Sequence, residues 1–193
     1  MIYSPCDGLP EEVVPAEAAA CHMCKEAGLH SRMIWGEGNS EAAVYFILDN
    51  PGARESREGD PVVCGTRQTL LQGLADTGIP ADQVYVTYLL KRRPLRAYDK
   101  PAARKLCMQH LHAQVQAGQP KLLCALGNVV LQSLLANEEA EVKQLRGQWL
   151  EFSGIPMNTA YHPLAVRRRP VLYNKFIEDL RLLAEQARNR GIW

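Results

Sequence analysis

The fold is decided by the stretch Val44-Tyr45-Phe46-Ile47-Leu48, which runs directly into Asp49-Asn50-Pro51-Gly52. A short unbroken run of β-branched and aromatic residues is typical of a strand that is buried on both faces. The Pro-Gly pair then ends the strand in a turn. Because such a strand needs helices on both sides of its sheet, this stretch predicts an α/β protein.

Outward from this strand, apolar runs alternate with segments of helical periodicity. The further predicted strands are Val84–Leu90, Leu122–Leu126 and a hairpin over Gln148–Thr159, and the predicted helices are Thr66–Thr77, one with Pro101 in its first turn, Asn128–Ala136 and Leu172–Asn189. This alternation predicts a three-layer α/β/α sandwich around a central, mostly parallel, four-stranded sheet. The length of 193 residues suits a single domain over residues 1–193.

Net charge and the lengths of the apolar runs limit the kinds of binding partner that the chain can have. The net charge of +1 gives no global electrostatic case for binding nucleic acid, so any such case rests on local basic clusters at 91–93 and 167–169. No apolar run reaches the roughly 18 residues that span a bilayer, and the N-terminal residues lack the pattern of a signal peptide. We therefore expect a cytoplasmic protein with no membrane partner. We also expect it to be a monomer.

Three segments are expected at the ligand-binding edge of the sheet, because open α/β sheets bind ligands beyond the carboxyl ends of their strands. They are 49–52, 88–94 and 161–163. Asp49 is either a turn-forming residue or a functional carboxylate. His162 precedes Pro163, so its backbone is extended and its side chain is either structural or presented from a stiff loop.

The cysteines suggest a metal or redox site, because six cysteines in a cytosolic chain are seldom paired as disulfides. Cys21 and Cys24 have the C-x-x-C spacing with which one turn chelates a metal, but a full site needs about four ligands. Cys107 lies on the apolar face of its helix and Cys124 within a strand, where each is interpreted as a small hydrophobic residue.

Taken in order, these segments resemble the family 4 (thermophile-type) uracil-DNA glycosylases, which carry a [4Fe-4S] cluster. The resemblance covers nearly the whole chain, and the ordered set is more specific than any one member. Its motifs are Cys21 and Cys24, Trp35-Gly36-Glu37-Gly38-Asn39, Leu48-Asp49-Asn50-Pro51-Gly52, Glu55 with Gly59 and Pro61, Tyr85-Val86-Thr87-Tyr88, Lys91 and Pro94, Cys107, Leu126-Gly127, Arg146-Gly147-Gln148-Trp149 and Tyr161-His162-Pro163.

The resemblance implies a DNA glycosylase of base-excision repair. In that reaction Asp49 is the catalytic carboxylate that orients water and offsets the positive sugar, and His162 is the group that stabilises the departing base. The implied base pocket contains Asn50, Pro51, Gly52, Val62 and Tyr88. The implied DNA contacts are Lys91, Arg93, Arg167 and Arg168, with Arg167 the strongest candidate.

The sequence departs from the family at several positions, the first being Asp49, which stands where the family has glutamate and retains the charge with a reach one methylene shorter. Val62 stands where the family has a stacking phenylalanine, and Tyr88 stands where it has an asparagine that reads the edge of uracil. A phenol cannot reproduce the paired donor and acceptor of a carboxamide. Arg92 replaces the third cluster cysteine, which leaves Cys21, Cys24 and Cys107, with the fourth ligand either missing or supplied by Cys6.

The sequence therefore predicts a DNA glycosylase that hydrolyses the N-glycosidic bond of a flipped uracil or another deaminated base. Two alternatives stay open: a catalytically degenerate nucleic-acid-binding module on the same fold, and a hydrolase of nucleosides or other small substrates. The expected cofactor is a [4Fe-4S] cluster or zinc, unless the centre has been lost.

Overall fold

A computed structural model describes residues 9–22, 31–53, 65–94 and 100–193. Its strands are β1 (Gly36–Gly38), β2 (Val44–Leu48), β3 (Val84–Tyr88), β4 (Leu122–Leu126), β5 (Leu150–Phe152) and β6 (Ile155–Ala160). Its α-helices are α1 (Ala16–Ala19), α2 (Gly65–Thr77), α3 (Lys100–Gly118), α4 (Asn128–Leu135), α5 (Val142–Leu145), α6 (Pro163–Arg168) and α7 (Tyr173–Asn189), with 3-10 turns at Ala81–Gln83 and Pro170–Leu172.

The strands form one sheet in the order β1-β3-β2-β4-β6-β5. The four inner strands are parallel, while β1 and β5 pair antiparallel at the two edges. The predicted α/β class is therefore confirmed, but the predicted strand number of four is corrected to six in the part of the chain that the structure describes. β1 was not predicted because this three-residue strand, Gly-Glu-Gly, has no apolar run, and β5 was predicted only as part of a hairpin, with no position of its own in the sheet.

Helices cover the sheet on both faces. Alternate residues of β2 point to opposite sides: Phe46 packs in one cluster with the apolar stripes of α2 and α7, and Ile47 packs in another with α3 and α4. All five residues of β2 are buried, as an unbroken apolar run predicts for an inner strand. The carboxyl ends of the parallel strands consequently lie along one edge, which is the edge that holds the site.

The predicted element boundaries agree closely with the structure. β3 ends at Tyr88 and not at Leu90. Beyond its end, the N–H groups of Leu89 and Leu90 donate to the carbonyls of Leu48 and Asp49 at 2.8 and 2.9 Å. These two bonds hold the ends of β2 and β3 together. Within the described ranges, no helix is both long and apolar enough to cross a membrane.

Candidate active site

The residues on which the sequence analysis placed the chemistry, Asp49 and His162, meet at the carboxyl edge of the sheet. Asp49 follows β2 directly, and His162 lies between β6 and α6, where it is the N-cap of the helix. β4 lies between β2 and β6 in the sheet. The imidazole therefore has to reach across the end of β4 to approach the carboxylate.

The two side chains are in contact. Nε2 of His162 lies 3.2 Å from Oδ1 of Asp49, within ion-pair distance although not aligned as a hydrogen bond. On the other side of the ring, the backbone N–H of Leu164 donates to Nδ1 at 3.1 Å. Because Nδ1 accepts this bond, it carries no proton, and a neutral ring must carry its proton on Nε2. The fold therefore directs an N–H donor toward the carboxylate and the space beside it.

The carboxyl group of Asp49 favours its ionised form. Burial opposes ionisation, but the contact with the imidazole of His162 and the backbone N–H groups of Asn50 and Asp49 outweigh it, so that the pKa of Asp49 lies below its ordinary value. The N–H of Asn50 donates to Oδ1 at 2.8 Å and fixes the orientation of the carboxylate. Asp49 is thus an anion near neutral pH and is held in one direction.

A cavity of about 550 Å³ opens beside this pair. Of the predicted base-pocket residues, Asn50, Gly52 and Tyr88 line it, whereas Val62 lies outside the described residues. Pro51 is buried next to the cavity, and its carbonyl accepts from the amide of Asn50 at 2.9 Å. The described lining is Leu48, Asp49, Asn50, Gly52, Thr66, Tyr88, Arg93, Leu126, Gly127, Asn128, Val129, His162, Leu164, Ala165, Arg168 and Arg169.

Several of these residues were missed by the sequence analysis as parts of the site. Thr66 begins α2, and Gly127 and Asn128 connect β4 to α4. Ligands bind beyond the carboxyl ends of parallel strands, and this applies to β4 as well as to β2. The Leu126-Gly127-Asn128 turn, which follows β4, could therefore have been predicted as part of the site. No sequence pattern indicated Thr66, because its position at the cavity depends on how α2 packs against the rest of the protein.

Cationic side chains border the cavity. Arg93, Arg168 and Arg169 all line it, which agrees with the predicted positions of Arg93 and Arg168 and adds Arg169. Arg167 is exposed but lies elsewhere: its guanidinium group packs against Gly65, where a β-carbon would be only 2.2 Å from Nη1. Within the basic run 167–169, Arg168 and Arg169 therefore line the cavity. Arg167, which was the strongest candidate for a DNA contact, lies instead against the start of α2.

The prediction that Lys91 lies on the DNA-binding rim is wrong. Lys91 is fully buried, and its ammonium group donates to Oγ1 of Thr87 at 2.6 Å, to the carbonyl of Tyr88 at 2.8 Å and to Oε1 of Gln114. Burial lowers the pKa of Lys91 to about 7. The ammonium group also lies 5.3 Å from the ring centre of Trp35. Its role in the fold is to join β3 to α3, inside the protein.

Beneath the cavity lies a buried network of three side chains from three elements. Tyr88, from β3, donates its phenolic proton to Oε1 of Glu37 in β1. Arg67, in the first turn of α2, donates through Nη2 to the same carboxylate oxygen at 2.7 Å and to the phenol oxygen at 2.6 Å. All three residues are at most 1% exposed. The hydroxyl of Tyr88 is thus bound to residues behind the cavity wall.

The described residues do not assemble the predicted metal site. Cys107 is buried and Cys21 is half-buried, while Cys24 and Cys6 lie outside the described residues. In the described ranges, no group of three or more His, Cys, Asp or Glu side chains is placed to hold a metal ion. At the position of the missing third cysteine, the guanidinium of Arg92 donates to the carbonyl of Ser31, and Arg92 pairs with Met33 in a β-bridge.

The fold and the site together define a class of protein: an α/β protein whose carboxylate and imidazole face a cation-bordered cavity at the carboxyl ends of parallel strands. Comparison with known proteins is consistent with this class. The sequence model of the uracil DNA glycosylase superfamily matches residues 35–181, which is most of the chain and includes both Asp49 and His162. The chain belongs to the uracil DNA glycosylase superfamily, whose activity is that of a DNA glycosylase, a hydrolase of DNA repair.

Individual relatives match over most of their length. The chain is 28% identical to a type-4 uracil-DNA glycosylase of Archaeoglobus fulgidus, over 88% of this chain and 89% of the relative. It is 27% identical to a type-4 enzyme of Sulfurisphaera tokodaii, over 91% and 84%, and 25% identical to one of Thermotoga maritima, over 88% and 90%.

Proposed function

We propose that this DNA glycosylase hydrolyses the N-glycosidic bond of uracil, or of another deaminated base, after the nucleotide has been flipped out of DNA. The observation that carries the proposal is the contact of 3.2 Å between Nε2 of His162 and Oδ1 of Asp49 in a cavity bordered by arginines. A base in the cavity would have an N–H donor and an anion close to its glycosidic bond.

Asp49 supplies the negative charge that the reaction needs. Breaking the bond between base and deoxyribose leaves positive charge on the sugar, and a carboxylate next to the sugar stabilises that charge. The lowered pKa of Asp49 keeps it ionised at neutral pH. Oδ1 is oriented by the N–H of Asn50, and in this proposal Oδ2 orients the attacking water.

His162 acts on the departing base. The base leaves with negative charge on a carbonyl oxygen, and the Nε2–H of a neutral imidazole can donate a hydrogen bond to that oxygen. The bond from Leu164 to Nδ1 fixes the tautomer that this role requires. The ring is also held in place as the N-cap of α6, with Pro163 at the first helical position.

Arg93, Arg168 and Arg169 are proposed to contact the DNA backbone around the flipped nucleotide. Phosphate contacts give affinity that is independent of sequence, and a few arginines at one edge can supply it on a protein with a net charge of only +1. The expected partner is therefore DNA, bound by a monomer.

The decisive experiment is an excision assay on oligonucleotides that carry uracil, hypoxanthine or xanthine, with the wild-type protein, Asp49→Asn and His162→Gln. We expect cleavage of at least one base by the wild type and a loss of about 10²–10⁴-fold in each variant. The matched controls are Asp82→Asn and His112→Gln, which change residues that do not line the cavity and should retain wild-type rates.

The same assay distinguishes the alternatives. Lesion-specific binding without cleavage of any base would instead support a degenerate nucleic-acid-binding module, an alternative favoured by the engagement of the Tyr88 hydroxyl behind the cavity wall. Activity on free nucleosides alone would support a small-substrate hydrolase. Either result would overturn the proposed function.

A metal centre, either [4Fe-4S] or zinc, would use Cys21, Cys24 and Cys107, with Cys6 as the candidate fourth ligand. None of the catalytic steps above depends on it. The two described cysteines do not form a site by themselves. Iron, acid-labile sulfide and zinc analysis of the purified protein, with Cys21→Ser as the matched variant, tests this ligand set directly.

A further inference from the structure

A second cavity, of about 600 Å³, lies between α3 and α4. We call it the α3–α4 groove, and it is lined by Arg104, Lys105 and Met108 of α3, by Gln132 and Ser133 of α4, and by Glu138. The groove adjoins the candidate active site. Asn128 and Val129, in the first turn of α4, line the active-site cavity, and Gln132 and Ser133 lie one helical turn further along. The two cavities therefore share α4 as a wall.

The cations of the groove have no carboxylate partner among the described residues. α3 contains no acidic residue in its 19 positions, so neither Arg104 nor Lys105 can form an ion pair within its own helix. In the described ranges, Glu138 forms no ion pair with either of them. Nε of Arg104 is also buried without a hydrogen-bond partner in the part of the chain that the structure describes. A buried donor on a permanent cation is costly to leave unpaired, and this nitrogen therefore points to an anionic ligand.

The cations lie toward the edge of the sheet that holds the active site. α3 ends beside the beginning of β2, where a β-carbon on Gly118 would meet the hydroxyl of Tyr45 and the carbonyl of Ser40. Arg104 and Gly118 are separated by roughly 21 Å along the helix axis, whereas β2 spans about 17 Å. Because α3 connects the end of β3 to the beginning of β4, it runs opposite to the strands. Arg104 therefore reaches the level of their carboxyl ends.

We propose that the α3–α4 groove binds the phosphate backbone of the DNA strand on one side of the flipped nucleotide, through Arg104 and Lys105. The inference rests on the proposed function in requiring that DNA enters the site at the carboxyl edge. A guanidinium group can donate two parallel N–H bonds to one phosphate, and an ammonium group adds a point charge. Both contacts are independent of base sequence.

The spacing agrees with a strand that leaves the active site along this wall. The residues of α4 that line the two cavities are one turn apart, or about 5.4 Å. Backbone charges recur about every 3.4 Å along one strand of duplex DNA. We therefore expect the phosphate in the groove to lie within about three nucleotides of the flipped one.

The α4 wall adds no positive charge. The amide of Gln132 donates to the carbonyl of Ala140 at 3.2 Å, and the hydroxyl of Ser133 donates to the carbonyl of Val129 at 2.7 Å. The carboxylate of Glu138 would repel a phosphate in the groove. Binding therefore depends on the cations of α3 and is opposed by Glu138, so that substitutions of the two kinds should have opposite effects.

The test measures how DNA binding depends on salt. Fluorescence anisotropy gives the affinity for an undamaged single strand of about 15 nucleotides at several salt concentrations. We expect Arg104→Ala and Lys105→Ala each to reduce the slope of log K against log salt by about 0.7 for each phosphate that the variant no longer neutralises. Glu138→Gln should tighten binding about twofold at low salt, and this gain should disappear at high salt.

Arg181→Ala and Lys175→Ala are the matched controls, because both residues are exposed on α7 and line neither cavity. They should leave the slope unchanged. Alanine favours helix at least as well as arginine and lysine do, so Arg104→Ala and Lys105→Ala should fold with an unchanged Tm. A lowered Tm with an unchanged slope would mean that the cations are structural, and would overturn the inference.

A second measurement tests where the strand lies. Asp49→Asn is combined with Arg104→Ala, and the strand carries uracil at its centre, at its 5′ end or at its 3′ end. We expect Arg104→Ala to weaken binding when uracil is central and when it is at one of the two ends. At the other end no nucleotides extend over the groove, so the affinity should not change. Equal weakening with every placement would contradict an assignment to one flanking side.

Unchanged slopes in folded Arg104→Ala and Lys105→Ala, or weaker binding in Glu138→Gln, would overturn the inference. In the first case the cations would have to serve an acidic protein segment instead of DNA. The slopes are measured with undamaged DNA and need no cleavage. If no lesion is excised, the proposed function fails while the slopes still test the groove, so the two failures are distinguishable.

Discussion

A β-carbon placed on Gly127 would lie 2.9 Å from the β-carbon of His162. Gly127 also has a φ of +94°, a backbone conformation that residues with side chains rarely adopt. The glycine after β4 therefore allows His162 to cross the end of that strand and reach Asp49.

From this close approach we predict that Gly127→Ala separates the imidazole of His162 from the carboxylate of Asp49. A displacement of the imidazole by about 1 Å should lower kcat/KM by about 100-fold, and the strained backbone should cost about 1–2 kcal/mol of stability. Gly147→Ala is the control, since Gly147 has a φ of +79° with no atom within 4 Å of the added carbon. It should share the decrease in Tm and retain the activity; equal activity losses in both variants would contradict the prediction.

We predict that any loss of activity as the pH falls below neutral is not caused by protonation of Asp49. Because its folded pKa is lowered, the carboxylate stays ionised as the pH falls through the ordinary range, and the stability that it contributes is present above the pKa of the unfolded chain and is lost as the pH falls from there through the folded pKa. Carbon NMR of the Asp49 carboxyl should show a titration midpoint below that of an ordinary aspartate. In His162→Gln the midpoint should move upward, because the imidazole that favours the anion is removed. No movement would contradict the assigned cause.

The rim arginines should determine how DNA binding depends on salt. Replacing Arg168 or Arg169 with alanine should weaken binding to all sequences alike and reduce the slope of log K against log salt by about 0.9 for each phosphate that the variant no longer neutralises. Arg181→Ala, an exposed arginine on α7 that does not line the cavity, should leave the slope unchanged. Fluorescence anisotropy at several salt concentrations measures the slope, and identical slopes in all three variants would exclude these phosphate contacts.

Lys91 should behave differently from its neighbour Arg93. Lys91→Met should leave the salt slope unchanged, because the ammonium group is buried among Thr87, Tyr88 and Gln114. Arg93→Met should reduce the slope, because Arg93 lines the cavity. The measurement is made well below the Tm of each variant. A reduced slope in folded Lys91→Met would mean that Lys91 reaches the DNA.

Val171 is predicted to help open duplex DNA. It is 82% exposed in the 3-10 turn that follows the rim arginines, and the N–H of Leu172 donates to the carbonyl of Arg169 at 2.9 Å to close that turn. An apolar side chain that follows the arginines at the cavity in the chain can fill the gap that a flipped base leaves. Val171→Ser should lower kcat/KM about tenfold on duplex substrates and little on single strands.

The control for this prediction is Val13→Ser, because Val13 is 86% exposed and does not line the cavity. It should leave both rates unchanged. Equal losses on duplex and single-stranded substrates in Val171→Ser would show that Val171 does not act on the base stack.

Much of the fold was predictable because its signals are local. The runs at 44–48, 84–90 and 122–126 each predicted an inner strand, and the periodicity at 66–77 predicted α2. The edge strand β1 was not predictable in this way. Its residues Gly36–Gly38 become a strand only by pairing with β3, so the determining contacts lie far away in the chain.

The site was predictable to the extent that topology determines it. Asp49 follows an inner strand and His162 follows β6, and parallel strands bring such positions to one edge. Sequence spacing does not determine side-chain burial, however. Adjacent basic residues looked equivalent, yet Lys91 is buried and Arg93 lines the cavity, and within 167–169 only the last two arginines do so.

The sequence alone determined the order of the inner strands and of the longer helices, and the two positions that carry the proposed chemistry. Hydrophobic periodicity acts through neighbouring residues, and chain connectivity places the residues that follow parallel strands at one edge of the sheet. Only the tertiary structure decided that Gly127 makes room for His162, that Lys91 faces inward and that the hydroxyl of Tyr88 is bound by Glu37 and Arg67. These features depend on which atoms of distant segments come within a few ångströms of each other, and that is determined by packing rather than by any local pattern.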